Sequence, residues 1–241
     1  MITPNRTVPG RLPVILLLVI FSIPSAAART YLDVGLGQVS GDFGTGITST
    51  LNAVKVEYGY FGSEYFFNAA TSYLELDTDG LEQQTGMGDV LLEAGYIYRS
   101  RDNELRLLPS LSVKLPTADE DKNLGSGETD VGLFLDLHQN CGGIVCTAGA
   151  GYIIVGEPAG AYLNNIVQLS IGGFKAFQKA GLSAYLEYNS AMLDGRNDPM
   201  KLGVDWFYLF SLKTGIYINS IAGLNSAAPD YGIRSGVIIW F

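Results

Sequence analysis

Residues 89–99 read DVLLEAGYIYR, and this stretch decides the fold because its side chains alternate in character with a period of two. One parity carries apolar and aromatic residues, among them Tyr96 and Tyr98, and the other parity includes the acidic Asp89 and Glu93. A β-strand directs alternate side chains to opposite faces, so the stretch predicts a strand with one apolar face and one polar face.

The same alternation recurs along the whole chain after its first 30 residues. Twelve segments carry it, at 31–39, 52–60, 65–73, 89–99, 105–115, 130–139, 144–155, 165–177, 182–190, 201–208, 211–219 and 231–241. Long connectors follow the odd segments and short connectors follow the even ones, a layout typical of outer-membrane barrels with both termini on the periplasmic side. The predicted fold is therefore all-β, a single antiparallel transmembrane β-barrel of about twelve strands.

A soluble β-sandwich also alternates, but it would rarely repeat aromatic residues at one end of successive strands. Here aromatic residues recur next to the short connectors, as expected for a girdle at the membrane interface, at Tyr58, Tyr60, Tyr96, Tyr98, Trp206, Tyr208, Trp240 and Phe241. The final alternating segment ends in Phe241, which resembles the signal by which barrel-assembly machinery recognises outer-membrane proteins. The barrel is favoured over the sandwich on both grounds.

The first residues predict a targeting segment rather than part of the fold. Arg6 and Arg11 precede an apolar run at 12–23, which is followed by the small residues 26–28, the order of a secretory signal peptide. We therefore expect a signal peptide at 1–28 and an outer-membrane β-barrel at 29–241. The apolar run is shorter than the ~20 residues of a spanning helix, although a retained anchor is the alternative. The predicted location is the bacterial outer membrane.

Composition excludes two further classes of protein. The chain is 47% hydrophobic and 16% charged, whereas disordered chains combine low hydrophobicity with high charge. The sequence pI of about 4.5 also argues against nucleic acid as a partner, since phosphate backbones select basic surfaces. After loss of residues 1–28, 13 basic and 24 acidic residues would remain, for a net charge of −11.

Alternation also predicts which side chains point into the barrel. Charged residues expected to line the lumen are Lys55, Glu57, Glu93, Arg106, Lys114, Asp136, Glu187, Lys201, Asp205, Lys213 and Arg234. Two interpretations are open, because these charges could brace the wall as internal ion pairs or could form a polar path for a small solute. Inward glycines leave room and inward aromatics such as Phe134 and Phe207 reduce it, so we expect a narrow, partly aromatic lumen.

The long connectors are acidic. They hold 13 of the 24 acidic residues against two basic ones, so their field repels anions and gathers cations. Asp119-Glu120-Asp121 lacks the spacing of a calcium loop, and we expect neither a metal site nor a cofactor. Loops solvated and bridged by divalent cations to surface lipid are the simpler interpretation.

Cys141 and Cys146 flank Gly142-Gly143 with parities that share a face. We expect them to lie directly opposite each other, within disulfide reach in an oxidising periplasm. The single histidine, His138, is predicted on the inward face beside this turn. It shares that face with Asp136, but no serine completes a catalytic arrangement, so the sequence predicts no catalytic residue and no enzyme.

The stretch from Gly86 to Asp130 resembles the outer-membrane family named for a MetA pathway of phenol degradation. The resemblance lies in 86–89 (GMGD), 115–117 (LPT) and 124–130 (LGSGETD), and this chain departs from the pattern at Ala118, where the family usually has glycine. It implies transport of small compounds across the outer membrane, with aromatic or hydrophobic molecules as candidates, but it assigns no binding residue.

The functional hypothesis is an outer-membrane channel or transporter for passive uptake of small molecules. The alternative is a closed structural or surface-interaction barrel whose acidic loops contact cations, lipopolysaccharide or other cells. Expected partners are outer-membrane lipid and lipopolysaccharide, the barrel-assembly machinery and, for the first hypothesis, a small solute. Large inward side chains that close the lumen would favour the alternative, and a continuous polar gap would favour the channel.

Overall fold

The computed structural model describes residues 29–102, 104–160 and 162–241, so the predicted signal peptide at 1–28 lies outside the described residues. Across these residues, no helix is long and apolar enough to span a membrane. The described chain forms twelve long strands, the fourth of which is divided into three segments. The strands are β1 (Arg29–Gly41), β2 (Ser49–Phe61), β3 (Tyr65–Thr78), β4a (Gln84–Met87), β4b (Val90–Tyr96), β4c (Tyr98–Arg99), β5 (Leu105–Leu115), β6 (Asp130–Asn140), β7 (Val145–Ile154), β8 (Ile166–Phe177), β9 (Ala180–Asn189), β10 (Met200–Ser211), β11 (Thr214–Gly223) and β12 (Tyr231–Trp240).

The strands close into one antiparallel barrel. Each pairs with its sequence neighbours, and β1 pairs with β12 from Tyr31↔Trp240 to Ser40↔Tyr231, which leaves no open edge between first and last strands. Closure provides hydrogen-bond partners for backbone N–H and C=O groups that lipid cannot hydrogen-bond, as a membrane-spanning sheet requires. The predicted twelve-stranded barrel is confirmed.

The connectors divide the barrel into two ends. Connectors 62–64, 100–104, 141–144, 178–179 and 212–213 lie at one end together with Arg29 and Phe241, and we call it the short-turn end. Connectors 42–48, 79–83, 116–129, 155–165, 190–199 and 224–230 lie at the other, the long-loop end. Strands β1 to β3 reach two to five residues further toward the long-loop end than their sequence pattern predicts.

The outer wall is apolar over the middle of the barrel. Exposed apolar side chains such as Leu36, Val56, Leu133, Ile171 and Val204 occupy alternate positions of their strands, as a lipid-facing surface requires. Toward the long-loop end this surface gives way to a ladder of outward polar groups. Its members are joined by hydrogen bonds from Tyr231 to Gln38 (3.1 Å), from Gln38 to Asn52 (2.8 Å) and from Asn52 to Glu75 (3.0 Å).

An aromatic girdle surrounds the short-turn end on the outside. It includes ring contacts between Tyr65 and Tyr96 and between Tyr208 and Phe210, each with centroids 5.3 Å apart. Trp240 is not part of it: its side chain points inward and is 3% exposed. The prediction that placed Trp240 in the girdle is wrong, because this residue has the same parity as the inward Arg234 and therefore faces the same side of β12.

Candidate solute site in the lumen

From the short-turn end toward the long-loop end, the inward side chains form successive layers: an apolar layer, a buried polar layer and a layer that borders open cavities. An apolar layer comes first, and we call it the aromatic plug. It consists of Tyr31, Phe61, Phe66, Ile97, Leu108, Phe174, Phe207, Leu209, Tyr217, Ile238 and Trp240, with Val145 packed against it. Its members come from all sides of the barrel and are at most 9% exposed. This part of the lumen is therefore filled with side chains rather than water.

Strand glycines make the dense plug possible. A Cβ added to Gly59 would lie 2.4 Å from the Tyr31 ring, and one added to Gly181 would lie 2.2 Å from Phe207 and 2.6 Å from Phe174. The two phenylalanine rings stack with centroids 5.9 Å apart. The absent side chains thus let the rings lie close to the neighbouring strands.

A buried polar layer follows the plug, and the plug's own tyrosines donate into it. The Tyr31 hydroxyl donates to Glu57 at 2.7 Å and the Tyr217 hydroxyl donates to Asp33 at 2.8 Å. Elsewhere in this layer Asn68 and Ser110 donate to Glu93, and Ser183 and Asn219 donate to Asp205. These contacts satisfy carboxylates that would otherwise be costly to bury.

Four of the inward basic side chains each form an ion pair with a carboxylate. Lys55 lies 2.6 Å from Glu57, Arg234 lies 2.5 Å from Asp33, Lys201 lies 2.8 Å from Glu187, and Lys114 lies 2.6 Å from Asp130. For each of the pairs Lys55–Glu57, Lys201–Glu187 and Arg234–Asp33, the basic side chain is the more exposed partner. The bases therefore lie between their carboxylates and the open space of the lumen.

Toward the long-loop end the lumen contains two neighbouring cavities. The outer cavity has a volume of about 390 Å³ and is lined by connectors 42–48, 190–199 and 224–230 together with strand ends that include Lys201. The inner cavity has a volume of about 350 Å³, and its wall includes Lys55, Lys114 and Arg234. Val39, Leu51 and Ile221 line both. Each volume suits a small organic molecule.

The motif residues of the 86–130 stretch meet at the inner cavity. Lys114 reaches Asp130 at 2.6 Å and Asp89 at 3.7 Å, and it donates to Ser126 at 3.0 Å. Asp89 accepts the backbone N–H of Ala118 at 3.0 Å. Position 118 thus contributes a backbone donor, and alanine supplies it as glycine would. This cluster fixes connector 116–129, whose Leu124 packs against Leu74 and Leu76 on the inner wall.

Connector 190–199 covers part of the outer cavity. Its Met192 and Leu193 pack against a buried apolar cluster on β6, β7, β8 and connector 155–165. Arg196 donates to the carbonyl of Gly44 on a distant connector. Asp198 accepts the Tyr188 hydroxyl and the Ala191 backbone N–H, each at 2.6 Å, and the Tyr188 hydrogen bond lowers the pKa of this carboxyl.

The structure places ten of the eleven predicted lumen residues on inward positions of the wall. They are Lys55, Glu57, Glu93, Arg106, Lys114, Asp136, Glu187, Lys201, Asp205 and Arg234. Lys213 is instead exposed in the turn 212–213, because β10 continues past a register shift to Ser211, which pairs with Thr214. Their role in solute passage stays a prediction. Alternation did not reveal the plug, the cavities or the packing of connector 190–199 over the outer cavity.

Cys141 and Cys146 lie diagonally across the Gly142-Gly143 turn. Cys146 is opposite Gln139 in the register and the amide of Cys141 donates to Ile144, so the predicted directly opposed arrangement is wrong. Their Cα atoms are 6.1 Å apart and their sulfur atoms are paired, a separation within the range of disulfides. His138 is buried inward beside this turn, in register with Arg106.

The closed sheet, the apolar outer wall and the polar interior define an outer-membrane β-barrel, which is located in the bacterial outer membrane. The chain belongs to the family described as "Putative MetA-pathway of phenol degradation", whose model matches residues 28–241. The match extends the likeness seen in the 86–130 stretch to the entire barrel. Among curated proteins, no sequence matches the chain significantly.

Solved structures share the fold at low sequence identity. An outer membrane channel from Pseudomonas putida F1 aligns with a TM-score of 0.73 at 14% identity, covering 91% of this chain and 97% of that chain. The NanC porin aligns with a TM-score of 0.60 at 14% identity over 86% of this chain and 98% of its own. The KdgM porin aligns with a TM-score of 0.60 at 11% identity over 88% and 99% respectively.

Proposed function

We propose that this protein is an outer-membrane transporter that passively admits small molecules, with aromatic or hydrophobic compounds as the favoured class. The observation that carries the proposal is the pair of adjoining cavities, about 390 and 350 Å³, on the long-loop side of the aromatic plug. Mostly apolar walls with a few polar groups are characteristic of small-molecule sites. Membership of the family and the channel-like fold support transport.

Orientation follows from the two ends of the barrel. In single-chain outer-membrane barrels the short turns and termini face the periplasm and the long loops face outward. The outer cavity then opens to the cell exterior, while lipid and lipopolysaccharide surround the wall. Phe241 is 66% exposed at the end of β12, which leaves the terminal aromatic available to barrel-assembly machinery. A solute would bind in the cavities and cross the aromatic plug when its side chains move.

The proposal is tested by blocking the inner cavity. Ala53 lines that cavity, and its neighbour Val54 is exposed on the lipid-facing side. Mature protein, residues 29–241, is refolded into vesicles containing lipopolysaccharide, and initial uptake of radiolabelled phenol is compared with protein-free vesicles. Ala53→Phe should bring uptake close to the protein-free rate, while Val54→Phe adds the same ring outside and should preserve it. Equal uptake by both variants, or no uptake by the wild type, would overturn the proposal.

A closed structural barrel is the second candidate, and the aromatic plug favours it. Such a barrel would need its interior only for stability, and its acidic connectors would be the working surface. Under that function, phenol uptake would match protein-free vesicles for the wild type and both variants. The loops would instead bind calcium or lipopolysaccharide. Equilibrium dialysis of the refolded protein against calcium would detect the calcium binding.

A further inference from the structure

We propose that the two cavities select small amphipathic organic anions, meaning molecules with one carboxylate or comparable acidic group on an apolar body. The inference rests on the proposed function and names its substrate class. Five basic residues line the cavities, namely Lys55, Lys114, Arg196, Lys201 and Arg234. Asp89 is the one carboxylate among the residues that line them.

The arrangement of the internal ion pairs explains this excess of positive groups. Glu57 and Asp33 are each 2% exposed and do not line either cavity, whereas Lys55 and Arg234 do. Each pair therefore presents its positive end to the open space, as an oriented dipole would. Pairs of this kind are nearly neutral at long range, but at contact distance the nearer charge dominates. An anionic group that enters the inner cavity meets the bases first.

Both basic groups retain hydrogen-bonding capacity. A lysine ammonium has three donors, and the side-chain acceptor that Lys55 contacts is Glu57. A guanidinium has five N–H donors, and Arg234 donates to Asp33 from its Nη2. A ligand carboxylate can therefore accept a charge-assisted hydrogen bond without breaking the existing pairs.

The apolar body has its own place. Val39, Leu51 and Ile221 are common to both cavities, and they lie between the basic groups of the outer cavity and those of the inner one. A flat or branched hydrocarbon fits this junction, while its acidic group reaches Lys55 and Arg234. A purely polar anion would leave the junction unfilled, and a neutral hydrocarbon would leave the donors unused.

The acidic connectors oppose the first approach of an anion, so selectivity must arise inside the barrel. Four of the five basic residues lie on the inner face of the strands, where solvent screens them less than it screens the acidic connectors. Salt should therefore affect the rate of capture at the acidic connectors more than the affinity inside the barrel. Higher ionic strength should speed capture of the anion by screening the rim, and it should change the equilibrium affinity less.

The test is equilibrium dialysis of the refolded mature protein with three probes of similar shape: benzoate, benzamide and benzylammonium at neutral pH. Wild type should bind benzoate at least about tenfold more tightly than benzamide, the factor expected from about 1.4 kcal/mol of added interaction. Benzylammonium should bind most weakly. Equal affinity for benzoate and benzamide, or a preference for benzylammonium, would refute the inference.

Variants assign the preference to the named groups. Lys55→Gln with Glu57→Gln removes one complete pair, and Arg234→Gln with Asp33→Asn removes the other, so neither leaves a buried charge without its partner. Lys179→Gln is the matched control, since Lys179 is exposed at the short-turn end. The ratio of benzoate to benzamide affinity should fall toward one in the pair variants and stay unchanged in Lys179→Gln. A ratio that survives both pair variants would overturn the assignment.

The outcomes also separate this inference from the proposed function. Benzoate binding without uptake into vesicles would contradict transport but leave the anion site intact. Uptake of phenol with no preference for benzoate over benzamide would preserve transport and refute the anion site.

Discussion

Removal of two stacked rings from the aromatic plug should turn a silent barrel into a conducting one. Phe174 and Phe207 are 2% and 3% exposed, and both rings lie over Gly181, which has no side chain. In the double variant Phe174→Ala with Phe207→Ala, three adjoining positions of the wall would carry at most a methyl group. The glycine cannot refill the space, so water can enter.

The magnitude follows from the burial of the plug. Moving an ion into a dry, low-dielectric region costs several kcal/mol, and about 4 kcal/mol corresponds to a thousandfold lower ion flux. If water replaces the two rings, most of this thousandfold loss of ion flux should be reversed. Each phenylalanine truncation should cost about 3–5 kcal/mol of stability, and less than the sum for both because the rings touch each other.

Single-channel recording in planar bilayers measures the effect. Wild type should show no steady conductance steps, and the double variant should show steps at least about a hundredfold larger than any wild-type leak. The matched control is Phe177→Ala with Phe210→Ala, which deletes two rings from the lipid-facing side of the same strands. Gel mobility with and without heating verifies folding. Regular conductance steps from wild type, or a folded double variant that stays silent, would refute a closed plug.

Three further predictions concern individual contacts in the barrel and its connectors. Lys114→Met should remove the positive charge 2.6 Å from the buried Asp130 and destabilise the barrel by about 3–5 kcal/mol, measured by urea unfolding against wild type. Asp198→Asn should increase tryptic cleavage after Arg196 at neutral pH, because it removes the charged acceptor that holds connector 190–199. The folded-state pKa of Asp198 is lowered, so in the wild type this support is present at neutral pH and lost only as the pH falls below the ordinary carboxyl range of about 4, which amide hydrogen exchange would follow. Non-reducing mass spectrometry should find Cys141 and Cys146 bonded, and double replacement by serine should cost at most about 2 kcal/mol because the loop they close is short.

The barrel could be predicted from sequence because lipid imposes a simple rule on every strand. Apolar side chains must alternate with inward ones, and this period is visible in one strand without knowledge of its neighbours. Strand ends are harder to predict, since they depend on partners. Lys213 shows this: the register shift between Leu209 and Ser211 moves the turn, and no local pattern at 211–213 signals it.

The contents of the lumen depend on pairs of strands rather than on single ones. Tyr31 rests on Gly59 and Phe207 rests on Gly181 only because the register brings each ring to a neighbouring glycine. Sequence analysis predicted inward glycines and inward aromatics, Phe207 among them, but it did not pair them and counted them as room gained and room lost. In the structure the two compensate, so the rings fill the space that the glycines leave and the plug becomes dense.

The layered interior accommodates both interpretations of the inward charges, because the same residues brace the wall and line the cavity, while their role in solute passage stays a prediction. Glu57 and Asp33 are buried deeply enough that they need partners, and their partners Lys55 and Arg234 are the groups that reach open space. Stability therefore requires bases in this layer whatever the barrel transports. Selectivity for anions would then require only that the cavity lie on the basic side of ion pairs that the fold already needs. The aromatic plug, on the short-turn side of the cavities, would prevent free leakage of ions.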